Sequence, residues 1–74
     1  MIVSIVIPVY NSELIIPELC IQICDAMKKY KFEVILVNDS SHDNSWNEIK
    51  KACNKLNTFR GICLANNFGQ DNAI

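Results

Sequence analysis

An α/β fold built on a parallel sheet is the architecture this sequence predicts, and three observations predict it. Short apolar runs rich in β-branched residues, at Ile2 to Val9, Phe32 to Val37 and Gly61 to Ala65, alternate with two stretches whose apolar residues recur every three or four positions. The segments between successive runs exceed the dozen or so residues that a parallel crossover needs. Breakers are scarce, with two glycines and two prolines, so little interrupts the pattern. Strand, helix, strand, helix and strand with right-handed crossovers give a three-stranded parallel sheet, one half (βαβαβ) of a nucleotide-binding α/β fold.

The first run, Ile2 to Val9, ends in Pro8-Val9-Tyr10-Asn11 and suits a strand buried on both faces and stopped by a turn. From Glu13 to Tyr30, the residues Ile16, Leu19, Cys20, Ile23 and Met27 share one helical face. Pro17 falls in the first turn, where proline is tolerated, and Lys28, Lys29 and Lys31 place positive charge at the other end, where the helix dipole favours it. Phe32 to Val37 is the second strand, and the seven polar residues from Asn38 to Asn44 form the loop after it. Ser45 and Glu48 make a Ser-x-x-Glu capping box that opens a second helix, Ser45 to Asn57, with Trp46, Ile49, Cys53 and Leu56 on its apolar face. Asn57 to Arg60 reads as a turn, Gly61 to Ala65 as the third strand, Asn66 to Gly69 as a loop, and Gln70 to Ile74 as the first turn of a third helix. One helical turn falls far short of the roughly 12 residues at which helices become viable. Residues 1–74 are therefore expected to be the N-terminal part of a longer domain, ending where that helix starts.

Composition excludes several classes of function. At about half the length of an average domain of roughly 150 residues, the chain holds one small domain or part of one. Half of the residues are apolar and a fifth charged, which is incompatible with intrinsic disorder. A net charge of -1 supplies no field for nucleic acid or for anionic lipid, and no nucleic-acid partner is expected. The apolar N-terminus lacks a basic region, is interrupted by Pro8 and is shorter than the roughly 20 residues of a spanning helix, so it is neither signal nor anchor, and the expected compartment is the cytoplasm. Cys20, Cys24, Cys53 and Cys63 lie inside apolar patterns, and Cys20 and Cys24 lack the Cys-x-x-Cys spacing of zinc and redox sites, so all four read as reduced core thiols.

In sheets of this kind ligands bind beyond the carboxyl ends of the strands. Those ends carry Tyr10-Asn11-Ser12-Glu13, Asn38-Asp39-Ser40-Ser41 and Asn66-Asn67-Phe68-Gly69, three polar segments on one rim. No Gly-x-Gly-x-x-Gly or Gly-x-x-x-x-Gly-Lys-Ser/Thr follows the first strand, which argues against a dinucleotide dehydrogenase or a P-loop nucleotidase. Asp39 is either an acceptor for a nucleobase N–H or a ribose hydroxyl, or a turn residue folded back on its loop. Tyr10 is either a surface for a nucleobase or the amphipathic end of a strand. Asp43 reads as helix-capping material and Trp46 as core. His42, the single histidine, has no orienting partner, so neither catalysis nor metal ligation is assigned to any residue of this segment.

The blocks Val3-Ser4-Ile5-Val6-Ile7-Pro8-Val9-Tyr10-Asn11, Val34-Ile35-Leu36-Val37-Asn38-Asp39-Ser40-Ser41-His42-Asp43 and Asn67-Phe68-Gly69-Gln70 resemble, in order and spacing, the opening of family-2 glycosyltransferases. The Asn-Phe-Gly-Gln block is most similar to the polyprenyl-phosphate (dolichyl-phosphate) sugar transferases. The resemblance implies a GT-A fold whose N-terminal half binds the nucleotide of a donor, a UDP-sugar or GDP-sugar. It implies that Pro8, Tyr10 and Glu13 line the nucleoside pocket and that Asp39 bonds the base, with Ser41 in the same nucleotide-binding set. It also implies Mg²⁺ or Mn²⁺ held by an Asp-x-Asp motif beyond Ile74, and a lipid-phosphate or glycan acceptor, with the parent enzyme at the cytoplasmic face of a membrane. Three departures from the family pattern bear on donor affinity: Ser12 where an acid is common, Ser40 where glycine is usual, and Asn66 where arginine is frequent. The competing expectation is a non-catalytic fragment that self-associates, because an open parallel sheet leaves strand edges and part of one face uncovered.

Overall fold

The computed structural model describes residues 1–39, 43–65 and 70–73. Along the chain run β1 (Val3–Val9), α1 (Ile16–Met27), β2 (Phe32–Asp39), α2 (Ser45–Lys55), β3 (Phe59–Ala65) and β4 (Gln70–Ala73). They build one sheet in the order β1-β2-β3-β4, in which β1, β2 and β3 are parallel and β4 runs antiparallel to β3. The α/β class and the three-stranded parallel unit are therefore those expected from the sequence. The third helix is not. Residues 70–73 pair as a strand, with Ala65 opposite Gln70 and Ile62 opposite Ala73, because the free edge of β3 offers backbone partners that a single helical turn cannot supply for itself.

Both helices cover the same face of the sheet. Two right-handed crossovers that step in the same direction, from β1 to β2 and from β2 to β3, place their helices on one side. The core gathers there: Val9 of β1, Val34 and Leu36 of β2, Phe59 of β3, Ile16 and Cys20 of α1, and Ile49 of α2. Strand residues of the other parity point away from the helices. Val6 is 62% exposed on that side, so β1 is not buried on both faces as its apolar run suggests. It is an edge strand, and its β-branched residues are divided between a covered and a bare surface.

Pro8 lies within β1 rather than at its end. The Val3 N–H donates to the Lys31 carbonyl at 2.9 Å, so by alternation Val3, Ile5, Ile7 and Val9 turn their peptide groups toward β2. Ser4, Val6 and Pro8 turn theirs outward, where the missing proline N–H costs no ladder bond.

Several boundaries move for identifiable reasons. β2 continues through Asn38 and Asp39 because both are paired, Asn38 with Val9 and Cys63 and Asp39 with Leu64. β3 starts at Phe59, two residues before the expected Gly61, because Phe59 is a fully buried core residue that pairs with Val34. α1 starts at Ile16, after a turn in which the Ser12 carbonyl accepts from the Ile15 and Ile16 amides at 3.1 and 3.2 Å. It ends at Met27, three residues short of Tyr30. α2 ends at Lys55, with Leu56 already extended.

The Ser45–Glu48 capping box does not form. Asn44 is the N-cap residue and makes no side-chain cap bond, the Ser45 hydroxyl is engaged elsewhere, and Glu48 pairs with Lys51 at 3.1 Å. All four cysteines are free thiols, and burial pushes Cys20 up in pKa, with Cys24 and Cys53 nearby adding to the shift. α2 approaches β3 at Gly61, where a Cβ would stand 2.6 Å from Ile49 Cγ2. Trp46, on the apolar face as expected, packs against the core beside the same glycine.

Candidate functional site

The carboxyl ends of β1 and β2 are adjacent, with Val9 and Asn38 as the last registered pair. Tyr10 follows directly on β1, and Asp39 is the last residue of β2. Tyr10 is 58% exposed, which fits either of its two readings, a surface for a base or the amphipathic end of a strand. Asp39 is exposed as well. By strand alternation Pro8 and Asp39 belong to the helix-free face, since Val9 and Asn38 between them are buried on the other side. Two of the expected nucleotide-binding residues thus share one face, with Tyr10 at the lip beside them. Ser41 lies outside the described residues, as do Ser40, His42 and the Asn66–Gly69 loop.

Glu13 is placed differently. It stands in the loop between β1 and α1, and its amide donates to Asp43 Oδ2 at 3.2 Å. With Asn11, Ser12 and Asp43 it borders a hollow of about 270 Å³ that neither Pro8, Tyr10 nor Asp39 lines. The expected residues therefore straddle the carboxyl edge of the sheet, Pro8 and Asp39 on one side and Glu13 on the other.

A hydrogen-bonded chain holds this loop. Asp43 Oδ1 accepts from the Ser45 hydroxyl at 2.5 Å and from the Ser45 amide at 2.9 Å. Ser45 Oγ in turn accepts from the Ser12 amide at 2.7 Å, and Ser12 Oγ donates to the Tyr10 carbonyl at 2.8 Å. Asn11, between them, adopts a left-handed conformation with φ of 46°, which asparagine tolerates better than most residues. Partial desolvation pushes the Asp43 carboxyl up, but the bonds from the Ser45 hydroxyl, the Ser45 amide and the Glu13 amide outweigh it and hold the group below its usual range.

The sequence reading took Asp43 for local capping material and missed its reach to the first loop. A signal was present. Ser45 precedes Ile49 by four positions on the apolar face of α2, so its hydroxyl had to be buried and had to find partners. Asn38 was also missed. It is 3% exposed, its Nδ2 donates to Cys63 Sγ at 3.4 Å, and its Oδ1 has no hydrogen-bond partner among the described residues. A buried free acceptor directly beneath the rim is uncommon.

Among the described residues no group of three or more His, Cys, Asp or Glu side chains could hold a metal ion. Among the same residues no helix is long and apolar enough to cross a membrane. A separate apolar groove of about 380 Å³ runs between α1 and α2, where Ile21 and Leu56 line it, and contains none of the rim residues.

Residues 4–74 match the sequence model of glycosyl transferase family 2. The chain is 46% identical over 76 residues to the undecaprenyl-phosphate 4-deoxy-4-formamido-L-arabinose transferase of Shewanella sediminis, covering 97% of this chain and 23% of that protein. Proteins of the same name from Aeromonas hydrophila and Proteus mirabilis are 40% and 42% identical, with 99% and 97% of this chain covered. The chain spans less than a quarter of the length of these relatives. A match over nearly its whole length makes the chain a member of glycosyl transferase family 2.

Proposed function

We propose that this chain supplies the nucleotide pocket of a glycosyltransferase that moves a sugar from a nucleoside-diphosphate donor to a polyprenyl-phosphate acceptor. One observation carries the reading: Tyr10 and Asp39 stand exposed at the carboxyl ends of adjacent parallel strands, where α/β sheets bind nucleotides. Tyr10 offers a ring for a base to lie against, and Asp39 a carboxylate that accepts from base N–H or ribose hydroxyl groups. Pro8 shapes the same face of the rim, and Ser41 follows two positions after Asp39 in the sequence. The acceptor class rests on relatives whose names specify undecaprenyl phosphate. A lipid acceptor places the reaction at a membrane, on the cytoplasmic side where nucleotide sugars are made. The divalent ion and the catalytic base belong to residues outside these 74.

The test is titration of the full chain with UDP and with GDP, followed by calorimetry. One of the two is expected to bind, and Asp39→Ala to weaken it about tenfold or more, as loss of a hydrogen bond to a charged group does. Unchanged affinity in Asp39→Ala would remove that carboxylate from the pocket.

A second reading, self-association, is favoured by the helix-free face, where Val6 is exposed and Ile35, Val37, Ile62 and Leu64 are only half-buried. Light scattering at micromolar concentration decides it. A dimer mass supports pairing through this face, and a strictly monomeric mass rejects it.

A further inference from the structure

We propose that Asp43 is a positioning residue for nucleotide binding, acting through Ser45 and Ser12 to fix the loop from Tyr10 to Glu13. The inference rests on the nucleotide reading of the rim and goes beyond it, since Asp43 itself lines neither Tyr10 nor Asp39. Its two oxygens are both committed: Oδ1 to the hydroxyl and amide of Ser45, Oδ2 to the Glu13 amide. Ser45 is completely buried, and its hydroxyl passes the constraint on by accepting from the Ser12 amide. Ser12 closes the path on the Tyr10 carbonyl. Two successive amides of the loop, those of Ser12 and Glu13, are therefore anchored by Ser45 at the start of α2 and by Asp43 just before it, 33 and 30 residues away in sequence. Asn11, between Tyr10 and these anchored amides, sits in the left-handed region, a conformation that persists only where the surroundings hold it.

The physical advantage is preorganisation. A loop that must be ordered when ligand arrives loses affinity to the entropy of ordering, and a loop already held does not. Helix capping alone would need only the contact with the Ser45 amide. The arm to Glu13 and the relay through Ser12 do nothing for α2, and both point at the residues of the rim.

The test compares the full chain with its Asp43→Asn and Asp43→Ala variants. Asparagine keeps the size but has one oxygen, so it can serve only one of the two arms. Three quantities are read: UDP or GDP affinity, hydrogen exchange at the Ser12 and Glu13 amides without ligand, and the thermal midpoint as a check of folding. The expected result is exchange faster by tenfold or more at both amides, with nucleotide affinity reduced about fivefold in Asp43→Asn and more in Asp43→Ala, while the variants stay folded. Ser12→Ala combined with Asp43→Ala should weaken binding no more than the stronger single change, because both break one serial path. Affinity within twofold of wild type in Asp43→Ala overturns the proposal, and so does lost affinity with unchanged exchange at Ser12 and Glu13. A wild-type chain that binds neither nucleotide, while Asp43→Ala still accelerates exchange, overturns the nucleotide reading instead and reduces the relay to a structural tie.

Discussion

The two faces of the sheet are made from the same strands and nearly the same residue types, yet they differ completely in what surrounds them. On the helix side Val34, Leu36 and Phe59 are fully enclosed by residues of α1 and α2. On the other side Val6, Ile35, Val37, Ile62 and Leu64 make an apolar surface that neither helix covers. Hydropathy alone does not distinguish them, because Ile35 and Leu36 are neighbours of equal apolar character. The order of strands does: two crossovers of the same hand in the same direction leave one side bare. Stability is thus concentrated on one face, while the other carries Pro8 and Asp39 toward whatever the rim binds.

Substitutions on the two faces should therefore separate widely. Leu36→Ala is expected to cost about 2–5 kcal/mol, measured by urea unfolding, whereas Ile35→Ala should cost clearly less. Equal losses would mean that the helix-free face is covered in solution. Gly61→Ala comes next, at about 1–3 kcal/mol, because its new Cβ meets Ile49 Cγ2 at 2.6 Å and α2 must move off β3. The readout is again the urea midpoint, with Ile49→Ala, which removes the Cγ2 methyl, expected to cost less in the Gly61→Ala background than on its own.

The pH dependence isolates the rim. Because the Asp43 carboxyl is held below its unfolded value of about 3.9, its contribution is fully present above that value and is lost as pH falls through the lower, folded one. Urea midpoints followed from pH 6 down to pH 2 should fall on the acid side, and Asp43→Asn should flatten that part of the curve. The smallest change belongs to the bare face. Val6→Lys should alter stability by no more than about 0.5 kcal/mol, yet shift the mass seen by light scattering toward monomer. A lysine at this position that leaves a dimer intact would place the contact elsewhere.

How much of this was legible beforehand differs between fold and site. The helix period was plain in Ile16, Cys20 and Ile49, since each is buried where its spacing put it, whereas the apolar run of β2 did not tell Val34 and Leu36 from Ile35. The end of the chain was not, because Gln70 to Ala73 carries no strand period and pairs only because β3 offers an edge. At the rim, the placement of Tyr10 and Asp39 followed from topology. The link from Asp43 to Glu13 spans 30 residues and depends on how α2 docks, which no local spacing encodes. Ser45 illustrates the difficulty: its Ser-x-x-Glu pattern named a local partner, and tertiary contact to Ser12 won instead.

Pro8 has a further bearing, on how the protein behaves when crowded. A strand that adds to the outer edge of β1 can bond to the peptide groups of Ser4 and Val6, but finds no donor at Pro8. Edge-on growth from copy to copy, the route to fibres, thus has an incomplete template on this side. Pairing through the apolar face, the second reading proposed above, would meet no such interruption and would close on itself after two copies. Concentrated solutions should consequently yield compact pairs rather than filaments, with one proline setting the difference.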